Sequence, residues 1–322
     1  MMTDQERENL FYKYTNNHIN LVRKYIDKAK NFYPDLSNLL TDLANKHDQS
    51  KFKEPEKTPY LYITEKKYYQ NNNIPFKPFP LNIEKIMHEA TFHHVKNNPH
   101  HPEYWDIHLT QNPINFKDRD KPSGVLVDAK LMPHLYIIEM VCDCCAMAEY
   151  LKSCVYDWFD KNINIRWKFD EDQILKIYQI ISQIWGKQNK VFLGGTYSSN
   201  WRDKIIPYLK IDYFNPIVDN WTKENQLKEN IEKYKCKYNL FVITPKMEGV
   251  YSIAEVTDCS NKNPKNTILT LLKTDENKTF NESQWKSLIA TADLIKNNRA
   301  NVLYSLEETI NFLNGDIKNV SL

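Results

Sequence analysis

The chain has 322 residues, enough for two domains of ordinary size rather than one core. Its 43 lysines and arginines nearly balance 41 acids, leaving a net charge of +2, so no field of one sign suggests a nucleic-acid or membrane partner. The 41% apolar and 13% aromatic content excludes a disordered chain, no apolar stretch approaches the ~20 residues of a membrane span, and the polar, acidic opening reads against a secretory signal.

The first half reads as helices. In "HINLVRKYIDKA" the residues Leu21, Val22, Tyr25, Ile26 and Ala29 share one face, and His18 lies on it one turn before Val22. The next stripe is Leu36, Leu39, Leu40, Leu43 and Ala44; His47 continues it at i+4 from Leu43, and Asp48 follows. A third helix is expected from about Ile83 to Val95, ending before "NNPHHP", whose prolines forbid continuation. A fourth spans "MPHLYIIEMVCDCCAMAEYL", with Pro133 in its first turn and Glu139 and Asp143 projecting from one side at i,i+4. "DEDQILKIYQIISQIW" supplies one more. The expectation is an all-α bundle over residues 1–187. Four of the six cysteines, Cys142, Cys144, Cys145 and Cys154, crowd into one helical segment and cannot staple distant parts of the chain. They read as buried free thiols of a reduced, cytoplasmic protein, and the lone CxxC lacks the second pair of a zinc site.

Glycine marks the change of pattern. Only Gly124 and Gly186 precede residue 190, and Gly194-Gly195 then follows the apolar run "VFL". From residue 188 to 322 the runs "KVFLGG", "KIDYFNPIV", "YNLFVITP" and "NTILTLL" read as buried strands. They alternate with the helical segments "NWRDKIIPYL", "WTKENQLKENIEKYK", "VYSIAEVTDCSN" and "NESQWKSLIATADLIKNN". Such alternation predicts a flavodoxin- or Rossmann-like parallel sheet with helices on both faces and ligands at the carboxyl ends of its strands.

One His from one helix, an adjacent His-Asp from another and an Asp from a later helix can converge on metal in a bundle core. His18, His47, Asp48 and Asp143 fit that layout in chain order. An aspartate beside a histidine can bridge two ions, and bound metal makes a nucleophile of water, the chemistry of phosphate-ester hydrolysis. A single His on an apolar helix face is ordinarily a hydrogen-bonded core residue. Two on successive apolar faces, the second followed by Asp, favour ligation. Asp143 could still be a solvated residue, and Glu139 a ligand, a supporting group or neither.

"HDQSKF", "ATFHHVKNNPHHPEYW" and "MPHLYIIEMVCDCCAMA", together spanning roughly residues 15–155, resemble a family of small uncharacterised domains related to HD-type phosphohydrolases. The resemblance implies a divalent metal (Mn, Mg, Fe, Co or Zn) on His18, His47, Asp48 and Asp143, with His94 and His101 near it. Of His93 and His94 only one can point inward from a helix, and His94 is favoured; His100 and His101 stand in a loop and are not separable. Lys51, one turn after the His-Asp, holds a substrate phosphate or caps a helix end.

In the second half, "VFLGGTYSSNWRD" reads as strand, Gly-Gly turn and helix start, with Ser198, Ser199 or Asn200 as cap. It lacks the spacing of a dinucleotide site and the lysine of a P-loop, which speaks against NAD chemistry and ATP hydrolysis. Glu255 falls one turn into the helix after the third strand, with Tyr251 one turn before it on the same face. A carboxylate there can attack an anomeric carbon, or simply favour a helix N-terminus. Asp219 in "NPIVDNW" is placed to hold a ribose hydroxyl or protonate a leaving base, with Asn220 beside it.

"FLGGT", "DYFNPIVDNW", "YNLFVITPKMEGVYSIAEVTDCSN" and "SLEETINFLN" resemble the nucleoside 2-deoxyribosyltransferase-like family over nearly all of residues 190–314. This implies Glu255 as nucleophile, Asp219 as substrate-holding acid, Gly194, Gly195 and Thr196 as the phosphate or sugar loop, no cofactor, and a homo-oligomer. The better-known transferases carry an aspartate shortly before the nucleophile; here that stretch is "MEGVYSI". The combined expectation is a bifunctional enzyme acting on a small nucleotide or nucleoside. The bundle would remove phosphate and the α/β domain would break or exchange the N-glycosidic bond. Its rivals are an N-glycosidase with a structural bundle and a non-enzymatic nucleotide sensor.

Overall fold

The computed structural model describes residues 2–117 and 121–315. The chain divides into two compact units, Met1–Gly186 and Lys187–Leu322, one residue before the division expected from composition.

The first unit is helical. Helix α1 (Asp4–Lys30) is far longer than its sequence stripe, opened by a capping box between Thr3 and Glu6. Phe11, Ile19, Val22, Tyr25, Ile26 and Ala29 bury its inner face. Helix α2 (Ser37–Lys46) buries only Leu40 and Ala44, and Leu39, read as part of the stripe, is half exposed. Helix α3 (Lys57–Asn71) escaped the sequence reading. Its apolar periodicity is weak, and a charged residue, Glu65, is fully buried beside Pro59, Tyr60 and Ile63. Helix α4 (Leu81–Asn97) ends where the prolines require, and a single turn, α5 (Pro102–Trp105), follows. Phe11 packs with Tyr60, Ile63, Phe79, Met87 and Ala90, which ties α1 to α3 and α4. Burying Phe11 alone is worth about 1.5–3 kcal/mol.

A two-residue strand β1 (Val127–Asp128) precedes α6 (His134–Leu151). Then come α7 (Val155–Asn162), a strand β2 (Trp167–Lys168) parallel to β1, and α8 (Glu171–Ile184), whose N-terminus is a capping box of Asp170 and Gln173. Cys154 caps α7, so the cysteines do not share one helix: Cys142, Cys144 and Cys145 lie on α6, and all are free.

The second unit runs β3 (Gln188–Gly195), α9 (Trp201–Ile205), β4 (Asp212–Phe214), α10 (Lys223–Lys235), β5 (Cys236–Ile243) and α11 (Tyr251–Lys262). It continues through β6 (Thr267–Leu271), a small hairpin β7 (Thr274–Asp275) and β8 (Lys278–Thr279), α12 (Glu282–Asn297), β9 (Asn301–Leu303) and α13 (Leu306–Leu313). Five strands form a parallel sheet in the order β4-β3-β5-β6-β9. Counting sheet strands along the chain, this is the doubly wound order 2-1-3-4-5, with its switch point between β3 and β5. Strand β9 was missed because three residues carry no readable pattern, and Pro216 confines the run read as "KIDYFNPIV" to Asp212–Phe214.

Alternate residues feed two cores. Phe192, Phe241, Ile243, Leu269 and Leu271 pack against Val256 of α11 and Leu288, Ala292 and Ile295 of α12. On the other face Val191, Leu193, Leu240, Val242 and Ile268 meet Trp201 and Ile205 of α9 and Phe312 and Leu313 of α13. Helices therefore cover both faces, as strands apolar on both sides require. No helix among the described residues is long and apolar enough to cross a membrane.

Candidate functional site

In the first unit five segments bring their polar side chains to one place. Helix α1 supplies His18. Helix α2 stops at Lys46, and His47 is its C-cap, with its N–H on the Leu43 carbonyl at 2.8 Å. The sequence reading carried the helix through His47. Instead Asp48 takes a left-handed φ of 60°, which aspartate tolerates better than most residues, and the turn sends both side chains inward. His47 is 2% and Asp48 1% exposed. The last turn of α4 delivers His94, the loop beyond it His100 and His101, and successive turns of α6 deliver Glu139 and Asp143.

Nε2 of His18 lies 3.2 Å from Oδ1 of Asp143, 3.4 Å from Oδ2 of Asp48 and 3.4 Å from Nε2 of His47. The other oxygen of Asp48, Oδ1, lies 3.2 Å from Nε2 of His94 and 3.8 Å from Nε2 of His100. Donor atoms within 4.8 Å of one another form three overlapping sets: His18, His47 and Asp143; His47, Asp48 and His100; His94, His100 and His101. The clusters can hold metal, with Asp48 between them.

The family of unknown function DUF5662 matches residues 7–183, more than half of the sequence. The chain belongs to that family. The DUF5662 region contains every residue of the cluster and ends before β3. Searches of the curated proteins and of the solved structures found no match.

Carboxylates at the rear of the DUF5662 cluster orient its imidazoles. Nδ1 of His47 stands 3.0 Å from Oε1 of Glu139, and an N–H donating there leaves Nε2 bare. Nδ1 of His94 stands 2.8 Å from Oε2 of Glu56, which also accepts from Ser50 Oγ at 2.8 Å, while Nδ1 of His93 is 2.9 Å from Glu56 Oε1. His94 is the inward member of its pair, and His93 is partly exposed. Glu56, fully buried, escaped the sequence reading because it precedes a helix without a clear stripe; the acid eight residues after Asp48 was the only signal. Lys51 turns its ammonium onto Asp48 Oδ2 at 2.6 Å.

Burial pushes His47 down to about 4 and His100 to about 3, so both imidazoles are neutral, the form that binds metal. Burial also opposes the charge on His18, but its hydrogen bonds to Asp143 and Asp48 outweigh it and hold His18 up to about 9, so a cation bound there would displace its proton. Burial would raise both aspartates, yet the Lys51 charge on Asp48 and the His18 bond to Asp143 hold them well below the usual carboxylate range. The fit to a cation rests on geometry. Asp48 Oδ1 and the Nε2 atoms of His94, His100 and His101 are buried without hydrogen-bond partners, and such atoms call for a ligand.

In the second unit, Glu255 is in the second turn of α11 with a side chain 12% exposed, ion-paired to Lys233 of α10. It is therefore not sealed beneath hydrocarbon. Tyr251 opens α11, half exposed, its ring 6.5 Å from that of Trp221. Asp219 and Asn220 lie exposed in the loop between β4 and α10, and no measured contact brings them to Glu255. Gly195 has φ +113°, and a Cβ there would sit 2.2 Å from the Val242 carbonyl; a Cβ on Gly194 would meet the Phe241 and Phe192 rings at 2.7–2.9 Å. Thr196 is buried, its hydroxyl accepting from Thr244 N at 2.9 Å and its carbonyl from Trp201 and Arg202. Sheet packing explains all three residues; Asn200 is the N-cap of α9 without a side-chain cap bond, and Ser199 Oγ accepts from Trp201 N at 3.3 Å.

Proposed function

We propose that the first unit is a metal-dependent hydrolase of phosphate esters, acting on a small nucleotide such as a deoxynucleoside monophosphate. The observation that carries this reading is the group of buried, unbonded acceptors on Asp48, His94, His100 and His101. It supports two cation positions sharing the Asp48 carboxylate, one served by His18, His47 and Asp143, the other by His94, His100 and His101. The imidazole-rich donor set favours Mn, Fe, Co or Zn over Mg. Divalent cations held there supply charge neutralisation and an activated water. Lys51, beside Asp48, is the side chain to hold the phosphate as it arrives.

The second unit, on our reading, breaks or exchanges an N-glycosidic bond. What supports this is the placement of Glu255 after β5, beyond the carboxyl end of the strand at the switch point, beside exposed aromatic rings suited to a planar base. The Glu255 carboxylate bonds to the anomeric carbon as the base departs with the electron pair of the broken bond. The departing base takes its proton from solvent. Water or a second base then releases the sugar. A rival reading, a nucleotide sensor whose glycine loop binds the ligand, draws on Glu255 being engaged in an ion pair.

The test is incubation of manganese-loaded full chain with a panel of nucleotides and nucleosides, measuring phosphate and free base separately. Phosphate release supports the first assignment and base release the second. Neither product, across the panel, would overturn both and leave the sensor.

A further inference from the structure

Two buried acids border the cluster, and each holds different imidazoles. Glu56 lies within hydrogen-bond distance of Nδ1 of His94, and Glu139 within the same reach of Nδ1 of His47. Glu56 is itself fixed: Ser50 Oγ donates to it at 2.8 Å, His93 lies on its other oxygen, and Asn98 Nδ2 donates to Ser50 Oγ at 3.2 Å. With Nδ1–H of His94 donated to Glu56, Nε2 presents its lone pair to the side of Asp48 Oδ1, 3.2 Å away. Nothing comparable links Glu56 to His18, His47 or Asp143 in the measured contacts, and Glu139 reaches His47 at 3.0 Å and His100 at 3.6 Å.

We propose that Glu56 is a positioning residue that fixes His94, and through it the cation position of His94, His100 and His101, independently of the His18–His47–Asp143 position. This rests on the two-position reading above. Loss of an outer carboxylate typically weakens metal affinity about 10- to 100-fold. Here that weakening falls on one position of two.

Full-length chain is titrated with Mn²⁺, and bound metal per chain and the electron paramagnetic resonance spectrum are recorded. Two equivalents with an exchange-coupled signal are expected for the unaltered chain. Glu56→Gln, which keeps size and one acceptor, should bind its second equivalent about 10- to 100-fold more weakly and show an isolated six-line signal at one equivalent. Glu56→Ala should lose the second equivalent entirely. His93→Ala, which removes the other imidazole on Glu56, should keep both equivalents. A merely structural role for Glu56 would lower metal-free stability without separating the two equivalents. One equivalent or none in the unaltered chain would overturn the two-position reading. Two tight, coupled equivalents in both Glu56 variants would overturn the role of Glu56 alone.

Discussion

Nε2 of His94 and Oδ1 of Asp48 face each other at 3.2 Å inside the first unit, both buried and neither hydrogen-bonded. With the His94 proton on Nδ1, facing Glu56, the two lone pairs at that distance repel, and a cation between them turns the repulsion into ligation. Mn²⁺ should therefore raise the melting temperature of the full chain. At one hundred times the dissociation constant a single site adds about 2.7 kcal/mol. Asp48→Ala, which removes the group common to both positions, should abolish the rise. A melting temperature indifferent to metal in the unaltered chain would contradict the centre.

Lys51 gives a second prediction, of different size in the metal-free and metal-bound states. Its ammonium, 2.6 Å from Asp48 Oδ2, compensates a carboxylate that is 1% exposed. Removing one partner of a buried pair costs about 3–5 kcal/mol. Lys51→Met should be destabilised by about that amount without metal, and the gap to the unaltered chain should narrow once Mn²⁺ supplies the missing charge. Thermal unfolding with and without Mn²⁺ measures both differences. An equal deficit in the two conditions would mean that Lys51 serves packing, not charge.

The sequence made some of this centre legible and hid the rest for identifiable reasons. His18 lies on a readable helical stripe and His47-Asp48 at the end of another, though a left-handed turn rather than the stripe aims that pair inward, and the structure brings them together with Asp143. The helix rule required that only one of His93 and His94 point inward without choosing between them, and the structure turns His94 in. His100 and His101 could not be separated because a loop has no period, and both join the cluster, His100 buried and His101 partly so. Glu56 was invisible since burial of an acid ahead of an unpatterned helix depends on partners from distant segments. Parallel strands were legible from their continuous apolar runs, whereas the three-residue β9 was too short to register. The Gly-Gly pair reads in the sequence as a turn around a ligand, whereas both glycines end β3, where atoms of Val242 and two phenylalanine rings crowd them.

The two chemistries should separate by mutation. Glu255→Gln keeps the shape of the side chain but neither attacks an anomeric carbon nor pairs with Lys233 as a charge. Base release should fall by about 10³-fold or more, on the scale of losing a nucleophile, while phosphate release is unchanged. Asp143→Ala should do the converse. Assays of both products on both variants decide it. Parallel loss in either variant would argue against two separate sites.

Asp275 supplies the pH prediction. Burial opposes its charge, but bonds from Ser199 and Thr244 and the nearby Lys204 hold its carboxyl below the ordinary 3.8. A carboxylate lowered in the folded state stabilises fully above its unfolded value, and that stabilisation is lost as pH falls below 3.8 through the folded value. Ser199 lies in the loop after β3 and Asp275 in the hairpin after β6, so the bond ties two loops at the carboxyl edge of the sheet. Amide exchange of both loops, corrected for intrinsic rates, should accelerate below pH 3.8 and should already be fast at pH 7 in Asp275→Asn. Unchanged protection in that variant would show the tie to be dispensable.

Gly195 decides between packing and ligand binding as the reason for the double glycine. Its φ of +113° strains any side chain, and a Cβ would meet backbone atoms of Val242 at 2.2 and 2.5 Å, with no flexible group to move aside. Gly195 pairs with Val242 in the sheet, and Thr196 N donates to the Val242 carbonyl at 2.8 Å, so relief would require parting β3 from β5 at its carboxyl end. Gly195→Ala should therefore destabilise the second unit severely, by about 3 kcal/mol or more. Mn²⁺ binding by the first unit should be untouched. Urea unfolding followed by amide exchange in β3 and β5 reads the first effect, and metal titration of the same sample reads the second. If the variant instead keeps normal stability and loses only nucleotide binding, the glycine serves a ligand and the packing explanation fails.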